Sequence, residues 1–95
     1  QIEFLQQRIK QWPNEAHFQK LLAQVLEKDQ QPIAAREAMA QYYILVGALS
    51  SAVEQLQQAR NLSSDFYQQS ALDLRIRELR EQLERDRLLL ERFKG

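Results

Sequence analysis

The stretch "AMAQYYILVGALSSAVEQLQQA", Ala38 to Ala59, decides the fold. It is rich in helix formers, yet it keeps one of the chain's two glycines, Gly47, near its middle. Small residues stand at set distances around that glycine: Ala40 seven positions before, Ala52 five after and Ala59 twelve after. Glycine inside a helix costs about 1 kcal/mol relative to alanine, so Gly47 reads as a stop, in the C′ position where a left-handed backbone is needed. Alanines at a helix crossing let two helix axes approach to about 8–10 Å. The stretch is therefore two helices, turned at Gly47 and packed through Ala40, Ala52 and Ala59.

Working outward, each further break has a local cause. "QWPNEA" interrupts a first helical pattern of Ile2, Leu5 and Ile9, because Pro13 disfavours helical geometry at Trp12; Asn14 is the expected N-cap of the next helix. That helix carries an apolar stripe of Phe18, Leu22, Val25 and Leu26 with Ala23 beside it. "EKDQQP" ends it, and Pro32 falls near the first turn of the third helix, where a missing N–H costs little. "NLSSD" is the last break, with Ser63, Ser64 or Asp65 able to cap a final helix. The reading gives five helices at about residues 2–11, 15–28, 33–46, 49–61 and 66–93, joined by loops short enough to make neighbours antiparallel. Nothing alternates with period two, so no strand is expected and the fold class is all-α.

Composition agrees. Gly and Pro together supply four residues, whereas Gln occupies fifteen positions and Leu, Ala, Glu and Arg fill much of the remainder. Thirteen basic and thirteen acidic residues cancel, so no net field calls for nucleic acid or an anionic membrane. With no cysteine there is neither a disulfide framework nor a thiolate metal site. No apolar run reaches the roughly 18 residues of a membrane span. The chain opens at Gln1, already in a helical pattern, and is expected to be a single domain-sized piece, residues 1–95, of a longer protein.

Helical hairpins call for a test of internal repetition. From about Ile33 to Phe66 the sequence resembles a tetratricopeptide repeat, a helix–turn–helix unit of about 34 residues. Ala40, Tyr43, Gly47, Ala52, Leu56 and Ala59 stand on its signature sites; Arg36 replaces the usual Trp and Ser64 the closing Pro. A weaker match starts after Pro13 and uses Leu22, Ala23, Leu26 and Ala35. Pro13 and Ser64 are 51 residues apart, one and a half repeats, so the two frames share the helix of residues 33–46. Such a slip suits the end of a repeat array, where terminal elements cap the stack. An ordinary antiparallel bundle is the plainer alternative.

Solenoids of this kind bind proteins on an extended concave surface. The Gly47 frame directs Glu37, Gln41 and Ile44 into it, the upstream frame directs Lys20, Gln24 and Glu27, and Tyr42 falls at the rim. These seven residues are the candidate partner-binding set, with a solvated helix face as the plain reading of each.

The last helix carries Leu72, Ile76, Leu79, Leu83, Leu90 and Phe93 in steps of four and three, with Asp86 in the slot between Leu83 and Leu90. This is a heptad seam with one polar interruption. Leu72 to Leu83 are expected to cap the array and the remainder to project; a homodimer through Leu72–Phe93 is the alternative role. Helix pairs Asp73–Arg77, Arg77–Glu81 and Glu81–Arg85 are expected around it.

Catalytic chemistry has no carrier. His17 is the only histidine, no Gly-rich phosphate loop or HExxH motif occurs, and no carboxylate pair is buried by pattern. The segment is not expected to be an enzyme or to hold a cofactor. The order of "LLAQ" (Leu21–Gln24), the Gly47 stretch and "YQQSALDLRIRELREQL" (Tyr67–Leu83) is similar to the C-terminal tetratricopeptide region of periplasmic M48-family zinc metalloproteases of the β-barrel assembly-enhancing group. "LDLRIRELR", Leu72–Arg80, is the most characteristic piece. The resemblance covers about Gln11 to Leu83. It implies an upstream zinc peptidase domain holding all the metal ligands, a Gram-negative periplasmic location, and, as partners, outer-membrane β-barrel proteins or their assembly machinery and its own peptidase domain. No catalytic residue of that family transfers to a position in this chain.

Overall fold

Five helices form in chain order: α1 (Ile2–Gln11), α2 (Ala16–Lys28), α3 (Pro32–Leu45), α4 (Leu49–Leu62) and α5 (Phe66–Lys94). The structure, a computed structural model, describes residues 1–94, and no strand occurs among them. Each break is closed by its own backbone chemistry. At Gly47 the chain is left-handed (φ 81°), and the Ala48 and Gly47 N–H groups donate to Tyr43 O (2.8 Å) and Ile44 O (3.2 Å). This is a Schellman cap, which satisfies the last carbonyls of α3. The end of α2 uses the same device without glycine: Gln30 takes φ 59°, and the Gln31 and Gln30 N–H groups donate to Leu26 O (2.9 Å) and Glu27 O (3.1 Å).

The helix starts differ more from expectation. Asn14 does not cap α2. Trp12 to Glu15 form a tight turn in which the Glu15 N–H donates to Trp12 O at 3.1 Å, so the cap position passes to Glu15, which makes no side-chain cap bond. Proline pre-sets the second position of such a turn, and that fixes Asn14 within it. Pro32 is the first residue of α3, one position earlier than the pattern placed the helix. For α5 the cap is Asp65, whose Oδ1 accepts the Tyr67 N–H at 3.0 Å. Ser63, buried just before it, accepts the Asp65 N–H and donates to Gln68 Oε1 at 2.7 Å.

Only helices that follow one another in the chain pack together, giving a stack of antiparallel hairpins that measures 50 × 31 × 18 Å. Two separate cores result. The first joins Leu5 of α1, Leu22, Ala23 and Leu26 of α2, and Ala35 and Ala38 of α3. The second joins Ala40 of α3, Ala52, Leu56 and Ala59 of α4, and Leu72 and Ile76 of α5. The apolar residues of the two repeat frames fall on these two cores, and α3 is the wall they share. The signature alanines Ala40, Ala52 and Ala59 are completely buried, as is Leu56. Tyr43 packs at the edge of that core.

The expected ion pairs along α5 do not form among the described residues. Asp73 instead meets Arg60 of α4 (3.1 Å), and Arg75 meets Glu37 of α3 (3.7 Å). An exposed charge favours whichever partner the packed helices bring closest, and intrahelical pairs are worth only about 0.2–0.5 kcal/mol.

Candidate functional site

The seven candidate residues occupy two surfaces. On α2, Lys20, Gln24 and Glu27 are exposed. Lys20 Nζ lies 5.5 Å from the centre of the Tyr42 ring on α3, a cation–π contact across the hairpin. Gln24 and Glu27 line a shallow groove of about 210 Å³ with Ala23, Ala35, Arg36 and Met39. Neither Glu37 nor Gln41 takes part in that groove.

Glu37 belongs to the opposite side of α3. Its carboxylate reaches Arg75 of α5, bridging over α4, with both side chains 38% exposed. Gln41 follows Glu37 by one helical turn, so it shares that face. Ile44 has the same helical phase but packs partly into the second core with Tyr43. It is more wall than contact surface. Consecutive residues on a helix differ by about 100°, so Arg36 lines the groove with Gln24 and Glu27 while Glu37 reaches Arg75. One surface is therefore formed by Glu37, Gln41 and Arg75.

Arg36 stands where the repeat pattern carries Trp, and the structure shows what it does there. Its Nη1 donates to Gln55 Oε1 of α4 at 3.4 Å, while its Nε is buried without a partner. The stem fills part of the space between α2 and α4. The departure from the repeat pattern was the available signal for this role.

Arg75, Asp73 and Arg60 were not singled out by sequence reasoning as contact residues. Each needs a partner from another helix, and no periodicity along one helix encodes that. Exposed aromatic residues were missed too: Phe66 and Tyr67 stack edge to face at 5.9 Å at the start of α5, and both are largely solvent-accessible.

The seam of α5 divides in two. Leu72 and Ile76 are buried against α4, and Leu79 packs at the edge of the same core. Beyond Leu83 the helix runs past α4, leaving Leu89, Leu90 and Phe93 at 51%, 64% and 88% exposure. In this projecting half Arg87 bridges Glu84 (2.6 Å) and Glu91 (2.7 Å). The hydrogen bond from Arg87 holds the Glu84 carboxyl below its ordinary pKa, and the same bond raises that of Arg87.

No three His, Asp or Glu side chains converge to hold a metal ion among the described residues, and no helix there is long and apolar enough to cross a membrane. Comparison with family models, curated proteins and solved structures found no match to this chain.

Proposed function

We propose that this chain is a protein–protein interaction module that engages a partner along the face shared by α3 and α5. The observation that carries this reading is the Glu37–Arg75 bridge, which brings two helices separated by α4 onto one open surface. Rigid elements hold that surface, because the core beneath it is closed on Ala40, Ala52, Leu56 and Leu72. Side chains of both signs, an amide and hydrocarbon stems are presented together, which suits a polypeptide rather than a single small ligand.

We further propose, on the resemblance of Leu21–Gln24, the Gly47 stretch and Tyr67–Leu83, that the module is the tetratricopeptide region of a periplasmic M48-type zinc metalloprotease. Its partners would then be unfolded outer-membrane β-barrel proteins or their assembly factors, and zinc would belong to the peptidase domain alone. The stack of helical hairpins supports this reading at the level of architecture.

The test is capture of an unfolded outer-membrane β-barrel protein by the purified chain. Glu37→Arg combined with Gln41→Ala places like charge beside Arg75, and capture is expected to weaken by about tenfold, equivalent to roughly 1.4 kcal/mol. Lys20→Glu combined with Gln24→Ala should have a smaller effect. Unchanged capture by the Glu37/Gln41 variant, with its helix content intact, moves the site off this face.

A further inference from the structure

The projecting half of α5 is a second surface, independent of the face just described. Its chemistry can be read by comparison with the half that is already covered. Along the seam, the core positions are Leu72, Ile76, Leu79, Leu83, Asp86, Leu90 and Phe93. In a paired helix the residues flanking such positions meet the partner's flanking residues and set its identity. In the covered half the flanking positions hold Asp73 and Arg75, and each meets an opposite charge from this chain: Arg60 at 3.1 Å and Glu37 at 3.7 Å.

In the uncovered half the flanking positions are Arg80, Gln82, Arg87, Leu89 and Lys94, three basic residues and no acidic one. The glutamates of this segment, Glu81, Glu84 and Glu91, lie at outer positions. Glu84 and Glu91 bracket Arg87, while Arg80 makes no ion pair among the described residues. This pattern opposes self-pairing. Two antiparallel copies would set Arg87 against a second Arg87 and Arg80 against a second Lys94. Two parallel copies would set Asp86 against a second Asp86 inside the seam and Arg80 against a second Arg75. Like charges at these positions discriminate against the pairing.

We infer that the distal half of α5 docks an amphipathic helix of another protein, with apolar residues along its seam, Glu or Asp at its flanks, and one basic residue opposite Asp86. The apolar stripe of Leu83, Leu90 and Phe93 supplies the burial, and Arg80 and Lys94, on either side of the bridged Arg87, select the sign of the partner. Asp86, whose Oδ1 accepts the Gln82 amide at 2.8 Å, fixes the register, as a single polar core residue does in coiled coils, because a cation placed opposite neutralises the carboxylate where an apolar residue would leave its charge desolvated.

The probe is a labelled synthetic helix of about three heptads, Leu at the seam, Glu at both flanks and one central Lys, titrated with the full chain by fluorescence anisotropy. A matching peptide has Lys at the flanks and a central Glu. The acidic peptide is expected to bind about tenfold or more tightly than the basic one, and the difference should shrink as salt is raised to about 0.5 M. Arg80→Glu with Arg87→Glu should reverse the preference. Leu90→Ser with Phe93→Ser should abolish binding of both peptides while leaving the melting temperature in place, since neither side chain packs on the rest of the molecule. Equal binding of the two peptides, or binding of neither, overturns the inference. So does sedimentation of the chain as a dimer that Leu90→Ser with Phe93→Ser dissociates.

Discussion

The two cores on either side of α3 are made of nearly the same materials, alanine and leucine at helical spacing, yet they close to different degrees. Around Ala40, Ala52, Leu56 and Ala59 no surface is left, and Leu72 and Ile76 retain 1% and 4%. Around Leu5, Leu22, Ala23, Leu26, Ala35 and Ala38 every residue keeps between 3% and 8%. The difference lies in the outermost helix. α5 brings a long seam and two inter-helix ion pairs to its core, whereas α1 brings ten residues anchored by Leu5, with Ile2 and Ile9 at the edge. A repeat array is as tight as the neighbour that covers each layer, so the core closed by α1 is the looser of the two.

That contrast can be broken most directly at its centre. Leu56→Ala opens a cavity with walls on three helices and should cost about 3–5 kcal/mol, whereas Leu5→Ala in the looser core should cost only about 2 kcal/mol. Chemical denaturation of both variants decides it; equal losses would mean the cores are equivalent. Next in size, Ala52→Leu overpacks the closed crossing and should destabilise by about 1–3 kcal/mol. Ala38→Leu, within the looser core, should be milder in the same assay. The two left-handed caps give a smaller, opposite-signed pair. Gly47→Ala meets no atom within 4 Å of the new Cβ, so its cost of about 1 kcal/mol is conformational. Gln30→Gly relieves the same strain and should stabilise by a similar amount or less. Thermal melts read both, and a loss at Gln30 would show that its side chain contributes more than its backbone costs. The smallest effect is expected for truncation after Leu83, which removes intrahelical pairs worth little each and the Gln82–Asp86 hydrogen bond and should leave the melting temperature nearly unchanged.

The sequence discloses the helices and the two-frame organisation because both depend on local events: Pro32 at a helix start, Gly47 at a helix end, and alanines spaced for a crossing. Where it misleads, a competing local solution is available. Asn14 is a good cap, but Pro13 builds a turn that consumes it. Nothing marks Gln30 as left-handed, since glutamine is not among the residues that favour that conformation. The candidate surface is legible only in part. Glu37 and Gln41 lie on the face that reaches α5, but Gln24 and Glu27 line a different groove. Which side of α3 a residue occupies is decided by where α2 and α4 settle, information that no single helix carries. The partners chosen by Asp73 and Arg75 are hidden for the same reason.

Because every packed pair of helices is adjacent along the chain, no distant segments must find one another before contacts form. Loop closure therefore adds little to the folding barrier, and the chain belongs with helical proteins that fold in about microseconds to milliseconds. The same adjacency governs its response to force. Tension applied between the termini would meet only the exposed Glu37–Arg75 bridge beyond contacts of neighbouring helices, and would peel the stack one helix at a time, beginning at α1, where the covering is thinnest. The molecule should behave as a compliant spring whose stiffest element is the hairpin turned at Gly47.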